Sequence, residues 1–192
     1  MLKVNKREEP EFFLIFKRFS NPGKWEDYPT DVKRKLKKYM LKNEQRNFCP
    51  YCERKIRIER SQIEHIKPKD KFPELLNEYN NYLTGCLEYH KTCGSRKGNR
   101  WDSNFINPVK KNPEEYFIYE LSTGKIIPVH EEGKKKEAAE ITIEILNLNE
   151  KRLCEQRKKY IGKVVRRSGI IDNKIINYID EFPTLKKYLL KL

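Results

Sequence analysis

Four of the five cysteines in the chain fall into two pairs, and this arrangement restricts the fold more than any other feature. Two residues separate Cys49 from Cys52, and six residues separate Cys86 from Cys93. A two-residue gap lets both sulfurs reach one ion from a single turn, and structural zinc takes four such ligands. The spacing therefore predicts one zinc ion joining two distant segments. Because the second gap is wide and contains His90, that residue is an alternative to Cys93 as the fourth ligand.

The rest of the sequence favours a metal over disulfides at these cysteines. Residues 1–13 contain no long apolar run, so we expect no signal peptide. No stretch approaches the roughly 18 to 20 apolar residues of a membrane helix, so we expect a cytoplasmic chain without membrane contact. Disulfides are rare in the cytoplasm. The fifth cysteine, Cys154, lies in a helical pattern and is predicted to serve only in packing.

The net charge points to a class of partner. It is formally +14, from 42 Lys and Arg against 28 Asp and Glu. A field of this sign attracts polyanions, which favours nucleic acid as the partner. The charge is spread along the chain without a single basic block, so it marks no particular surface. With 37% hydrophobic residues the core is lean, and a bound metal would help to stabilise it.

Hydrophobic periodicity predicts an α+β fold in three parts that form one compact unit. Residues 1–48 are predicted to be a helical extension, with a helix capped by Thr30 or Asp31 and a run at 12–19 that fits a helix turn or a strand. Residues 49–107 form the cysteine-containing core, where we expect a hairpin of 55–59 with 61–66. The third part, residues 108–192, is expected to contain a hairpin (116–121 with 125–129), helices over 134–147 and about 150–167 ended by Gly169, and a helical segment broken at Pro183.

Between the cysteine pairs lies a group of residues suited to hydrolysis. Glu64 directly precedes His65, and Asn81 follows 16 residues later. A neutral imidazole can accept a proton from water near pH 7, and hard divalent cations prefer carboxylate oxygens. A lone histidine is usually a packed or surface residue, so it is the combination that indicates a catalytic site. Adjacent residues on a regular strand point to opposite faces, so Glu64 and His65 share a site only if the strand twists or ends there.

This arrangement resembles the HNH nuclease motif, a ββα-metal core in which zinc knuckles enclose a hairpin and a helix. The resemblance implies that Glu64 binds a catalytic divalent metal such as Mg²⁺, that His65 is the general base, and that Asn81 orients the histidine or braces the loop. Many members of that class have Asn or His directly after the last zinc cysteine. Here that position is Gly94, which offers no ligand.

The segment after Gly94 supplies the remaining expected site residues. Asn99, Asp102 or His90 could replace the missing ligand, and we favour Asn99 or Asp102. Arg96, Lys97 and Arg100 are interpreted as nucleic-acid phosphate contacts, with a solvated helix face as the alternative.

A closer resemblance covers most of residues 1–168. Its order and spacing of motifs is similar to the PtuB family, the HNH component of Septu and some retron anti-phage systems, in which Gly after the last cysteine is usual. The family implies a PtuA-like ATPase partner and a nucleic-acid target, DNA by default and tRNA in some members. The alternatives are a non-catalytic zinc-containing nucleic-acid-binding subunit and an inactive toxin or assembly subunit. The motifs are Glu9-Pro10, Glu44-Gln45, Cys49-Pro-Tyr-Cys52-Glu53, Ile63-Glu64-His65, Cys93-Gly94-Ser95-Arg96-Lys97-Gly98 and Ile145-Leu146-Asn147-Leu148-Asn149.

Overall fold

The computed structural model describes residues 1–87, 91–166 and 170–192. These parts of the chain form a mixed α+β structure with two small antiparallel sheets, each of two strands. None of their helices has the length and apolar character needed to cross a membrane. In chain order the elements are α1 (Glu11–Ser20), α2 (Thr30–Asn43), β1 (Ser61–His65), β2 (Tyr82–Cys86), α3 (Cys93–Lys97), β3 (Phe117–Glu120), β4 (Lys125–Pro128), α4 (Gly133–Leu146), α5 (Lys151–Val164), α6 (Asn173–Tyr178) and α7 (Pro183–Leu189).

The central sheet differs from the expected hairpin. β1 pairs with β2, from Ser61 opposite Cys86 to His65 opposite Tyr82. The predicted pairing of residues 55–59 with 61–66 is therefore wrong: Lys55 makes only an isolated bridge, and residues 58–60 form a 3-10 turn. All five residues of β2 are buried, whereas segment 55–59 is charged at three of its five positions. Pairing with β2 thus removes more apolar surface from water.

The flanking predictions fared better. The run at 12–19 is helical, as α1, and α2 begins at Thr30, although no side chain caps it. The C-terminal hairpin is β3 with β4, and α4 and α5 follow close to their expected positions. α7 begins at Pro183, where the missing N–H of proline is harmless. α5 ends at Val164, and Gly169, the expected terminator, lies outside the described residues.

Two hydrophobic cores enclose the central sheet. The smaller core joins α1 and α2 to one face of the sheet through Phe13, Leu36 and Tyr82. The larger core draws on all three predicted parts of the chain, from Val4 through the cysteines to Leu189. The cysteine-containing segment is therefore packed between elements from both ends of the chain.

A buried carboxylate ties the first cysteine turn to the C-terminal part. Glu53 is 2% exposed and directly follows Cys52. It accepts hydrogen bonds from the Tyr119 hydroxyl (2.9 Å) and from the backbone N–H of Thr184 (2.7 Å). The Met1 ammonium lies 2.5 Å from the same carboxylate. A buried charge needs such partners, so these contacts hold the cysteine turn in a fixed position relative to α7.

Candidate metal centre and histidine site

The four paired cysteines come together in one buried cluster that can bind a metal ion such as zinc. The Sγ atoms of Cys49, Cys52, Cys86 and Cys93 all lie within 4.8 Å of one another. The Sγ atoms of Cys52 and Cys86 are 3.8 Å apart. A Zn–S bond of about 2.3 Å gives a tetrahedron with edges of about 3.8 Å, so the donor set fits one zinc ion. The alternative ligand His90 lies outside the described residues, and the set is complete without it.

Local backbone geometry brings each cysteine to the cluster. The first pair lies in a turn closed by a hydrogen bond from the N–H of Cys49 to the carbonyl of Arg54 (2.9 Å), with Glu53 in the left-handed region (φ 64°). Cys86 ends β2, and Cys93 begins α3, also with positive φ (60°). One turn, a strand end and a helix start therefore converge from separate places in the sequence.

The thiols perturb one another strongly. Hydrogen bonds from the other three cysteines lower the pKa of Cys52, whereas burial raises the pKa of Cys93. Four thiolates cannot all be charged in a buried space without a compensating cation. The chemistry of the donor set is thus that of a metal site.

Glu64 faces α3, where Gly94 leaves room for its carboxylate. A Cβ atom placed on Gly94 would lie 2.2 Å from Glu64 Oε2 and 2.7 Å from Cδ. Lys97 Nζ lies 2.9 Å from Glu64 Oε1. Burial raises the pKa of Glu64, although the Lys97 ammonium opposes that shift. Gly94, the position that offers no ligand, therefore leaves space that the side chain of Glu64 fills.

The placement of Lys97 corrects the expectation that it contacts phosphate. Lys97 is 2% exposed, and besides the ion pair its Nζ donates to the carbonyls of His65 (3.0 Å) and Gly98 (3.2 Å). Its charge is used inside the protein. Arg100 donates to the carbonyls of Arg96 (2.7 Å) and Ile145 (2.5 Å). Arg96 is exposed and Arg100 is half-buried, so Lys97 is the one residue of these three that is withdrawn from solvent.

His65 lies on the opposite face of β1 from Glu64. Its ring meets Trp25 and Tyr82 edge to face, at centroid distances of 4.7 and 5.0 Å. Burial, together with Lys69 and Lys97, lowers the pKa of His65 from 6.5 to about 4. Nε2 is buried and has no hydrogen-bond partner within the described residues. The imidazole is therefore neutral at pH 7 and has a nitrogen free to accept a proton.

Asn81 occupies the bracing position of the two that the sequence allowed. Its side-chain oxygen accepts from the N–H of Lys67 (2.8 Å), and its amide donates to the carbonyl of Lys67 (3.0 Å). Its backbone carbonyl accepts from the N–H of Ile66 (2.8 Å). Asn81 therefore fixes the two residues that follow His65 and acts on the imidazole only through the backbone.

The other expected ligands do not gather around Glu64. Asn99 donates to Asp70 (2.6 Å), and Asp102 accepts the N–H of Asn104 (2.7 Å) within a turn. Within the described ranges, the cysteine cluster is the only group of three or more His, Cys, Asp or Glu residues that could hold an ion. With a buried ammonium against Glu64, these residues do not fit the expected catalytic Mg²⁺.

Two residues that sequence reasoning missed are close to His65. Trp25 contacts the ring from the loop between α1 and α2. Asp70 is close enough to oppose the lowering of the His65 pKa, and Asn99 binds it. Neither had a sequence signal, because both lie in polar loops without periodicity.

These features define a class: an α+β protein with a metal-binding cysteine cluster and a neutral, buried histidine at the end of a two-stranded sheet. No protein-family profile matches the chain. Individual proteins do. The chain is 32% identical over 139 residues to the candidate HNH endonuclease of retron Vc95 from Vibrio cholerae, covering 69% of this chain and 66% of that protein.

Two further relatives agree. The candidate HNH endonuclease of retron Ec83 from Escherichia coli is 28% identical over 207 residues, covering 84% of this chain and 79% of the relative. The Septu protein PtuB of Bacillus thuringiensis is 33% identical over 112 residues, covering 54% and 37%. The chain belongs to this family of HNH endonucleases of retron and Septu anti-phage defence systems. It spans about two thirds of the retron Vc95 relative and little more than a third of PtuB.

Proposed function

We propose that the chain is an HNH endonuclease that hydrolyses phosphodiester bonds in nucleic acid, as the effector subunit of a defence complex. The observation that carries this proposal is His65, which is held neutral at the end of β1 and has an unpartnered Nε2. An imidazole that is neutral at pH 7 is in the protonation state that a general base requires. The family names of the relatives support the same activity.

In this proposal the cysteine cluster holds structural zinc and His65 carries out the proton transfer. Nε2 takes a proton from water, and the water oxygen bonds to phosphorus. The bond from phosphorus to the leaving oxygen breaks with its electron pair on that oxygen, which then takes a proton from solvent. Trp25 and Tyr82 restrict the ring, and Asn81 fixes the backbone beyond it. The family implies a catalytic divalent cation, but the residues around Glu64 do not fit one, so no step here depends on it.

The test is cleavage of duplex DNA and of tRNA by zinc-loaded protein, with Mg²⁺ and without it. General-base loss typically reduces the rate by roughly 100- to 10,000-fold, and we expect this for His65→Ala. His130→Ala is the matched control, since that histidine follows β4 in the C-terminal part of the chain. Wild-type cleavage by the His65 variant would show that the base is misassigned.

A second candidate is a non-catalytic zinc-containing nucleic-acid-binding subunit. Among the residues that the structure describes, no set of donors for a divalent cation gathers around Glu64, and this favours the second candidate. The same assay separates the two functions, because a binding subunit would retain nucleic acid without cutting it, with or without Mg²⁺.

We also propose that the chain works with a PtuA-like ATPase, because one relative is the Septu protein PtuB. Co-expression with such an ATPase, followed by measurement of mass and cleavage, tests this. We expect a stable complex that cleaves faster than the isolated chain. A chain that stays monomeric beside the ATPase and cuts equally well without it would contradict the partnership.

A further inference from the structure

Two neighbouring cavities lie along segment 54–63, at the N-terminal end of β1. Their volumes are about 790 and 470 Å³. Glu59 and Gln62 line both of them, so the cavities meet at the 3-10 turn that precedes β1. We call the two cavities together the basic trough.

The walls of the trough carry a strong excess of positive charge. Glu59 is the single acidic residue among the described lining residues. Some of the cations already have partners: Lys55 pairs with Asp180 (2.6 Å), and Lys37 donates to two backbone carbonyls. Arg57 and Arg60 are exposed beside the point where the cavities meet. The basic lining residues are Arg54, Lys55, Arg57, Arg60 and Arg152 in the larger cavity and Lys33, Arg34 and Lys37 in the smaller one.

The trough leads toward the candidate base. Ser61 and Ile63 line the smaller cavity and share a face of β1 with His65, because alternate residues of a strand point the same way. Trp25 lines that cavity too, and its ring is the one that contacts His65 at 4.7 Å. At about 3.3 Å per residue, Ser61 lies about 13 Å from His65 along the strand. A chain lying in the trough would thus extend toward the histidine.

We propose that the basic trough binds the phosphodiester backbone of the nucleic acid, with Arg57 and Arg60 as phosphate contacts and Glu59 as a charge that limits affinity. This inference rests on the proposed nuclease function, since it describes how substrate would approach His65. A concave surface lined by one sign of charge focuses the field and concentrates a polyanion there. Duplexes and single strands offer the same phosphates, and the experiment distinguishes them.

The test uses zinc-loaded full chain carrying His65→Ala, so that binding is measured without cleavage. Fluorescence anisotropy follows a 16-nucleotide DNA single strand, the matching RNA and the matching DNA duplex over a series of salt concentrations. Arg57→Gln with Arg60→Gln removes two trough charges. Lys159→Gln with Lys163→Gln on the exposed side of α5 removes the same net charge elsewhere. Circular dichroism and zinc content verify that each variant is folded.

We expect the trough variant to bind at least tenfold more weakly, and the control to change less than twofold. Each phosphate contact contributes about 0.9 to the salt slope on duplex DNA and about 0.7 on single strands, so the slope should fall by about 1.4 to 1.8. The ligand with the larger loss is the preferred form. Glu59→Gln should tighten binding.

Two results would refute the proposal that the trough binds nucleic acid. One is an equal loss of affinity in the trough variant and in the control variant, and the other is unchanged affinity in the trough variant. Cleavage is measured separately on chains that keep His65. A chain that binds through the trough and never cuts would refute the nuclease and leave the trough standing. A chain that cuts nucleic acid but binds it normally without Arg57 and Arg60 would refute the trough and support the nuclease.

Discussion

Adding one methyl group at Gly94 should displace the carboxylate of Glu64 and destabilise the protein. In Gly94→Ala the new Cβ would lie 2.2 Å from Oε2, 2.7 Å from Cδ and 3.3 Å from Cγ of Glu64. All three atoms belong to one side chain, so the clash is relieved only if Glu64 moves. Moving it separates the carboxylate from Lys97, which is itself buried.

The magnitude follows from what is left behind. Breaking a buried ion pair by removing one partner typically costs about 3 to 5 kcal/mol, because the other charge stays buried and unpaired. Lys97 keeps its hydrogen bonds to the carbonyls of His65 and Gly98, which reduces the loss. We therefore expect Gly94→Ala to lower the free energy of unfolding by about 3 kcal/mol.

A double-mutant cycle isolates this cause. Glu64→Ala removes all three clashing atoms, so adding Gly94→Ala to it should cost less than about 1 kcal/mol. Urea denaturation of zinc-saturated protein, followed by circular dichroism, gives the four unfolding free energies. If Gly94→Ala costs the same with and without the Glu64 side chain, then the carboxylate does not occupy the space above Gly94 and the reasoning fails.

Three further outcomes are expected. Cys52→Ser should prevent stoichiometric zinc binding and unfold the chain, whereas Cys154→Ser should retain zinc. Metal analysis and circular dichroism test this prediction. A wild-type chain that is stably folded without zinc would contradict it. Asn81→Ala should cost about 1 to 2 kcal/mol in urea denaturation, because it leaves two partly buried backbone groups of Lys67 without their partner, and a loss below about 0.5 kcal/mol would contradict its bracing role. The pKa of His65 in the folded protein (about 4) lies below its ordinary value of 6.5, so between these pH values the unfolded chain binds a proton that the folded chain does not. The free energy of unfolding should therefore be highest above pH 6.5 and fall as the pH is lowered toward 4. The loss is about 3 kcal/mol, and His65→Gln should remove that part of the pH dependence; identical pH profiles would exclude the shift.

The sequence predicted well whatever depends on local spacing or periodicity. The two-residue gap between Cys49 and Cys52 is set by the reach of one turn around one ion, and the cluster formed as expected. The C-terminal hairpin follows from alternation around Ser122-Thr123-Gly124 and was confirmed in β3 and β4. Such features are encoded within a few residues.

The errors arise where distant segments decide the outcome. The partner of β1 lies beyond a 16-residue connection, and no local pattern distinguishes it from the nearer segment 55–59. Lys97 looked exposed because it belongs to a short polar helix, yet the carboxylate that buries it comes from β1. The alternation of strand residues left open whether Glu64 and His65 share a face. In the structure Glu64 pairs with Lys97 of α3, whereas His65 contacts Trp25 and Tyr82.

The register of β1 against β2 decides which face of the sheet Glu64 and His65 occupy. A slip of one residue between the strands would send Glu64 to the aromatic side and His65 toward α3. This register is fixed at one end by Cys86 in the cysteine cluster and at the other by the hydrogen bond from the N–H of Ile66 to the carbonyl of Asn81. Insertions within the connection 67–80 leave both of these contacts in place, so we expect the length of the connection to vary without changing the site. A single-residue insertion inside β2 moves one of these contacts relative to the other and exchanges the two faces.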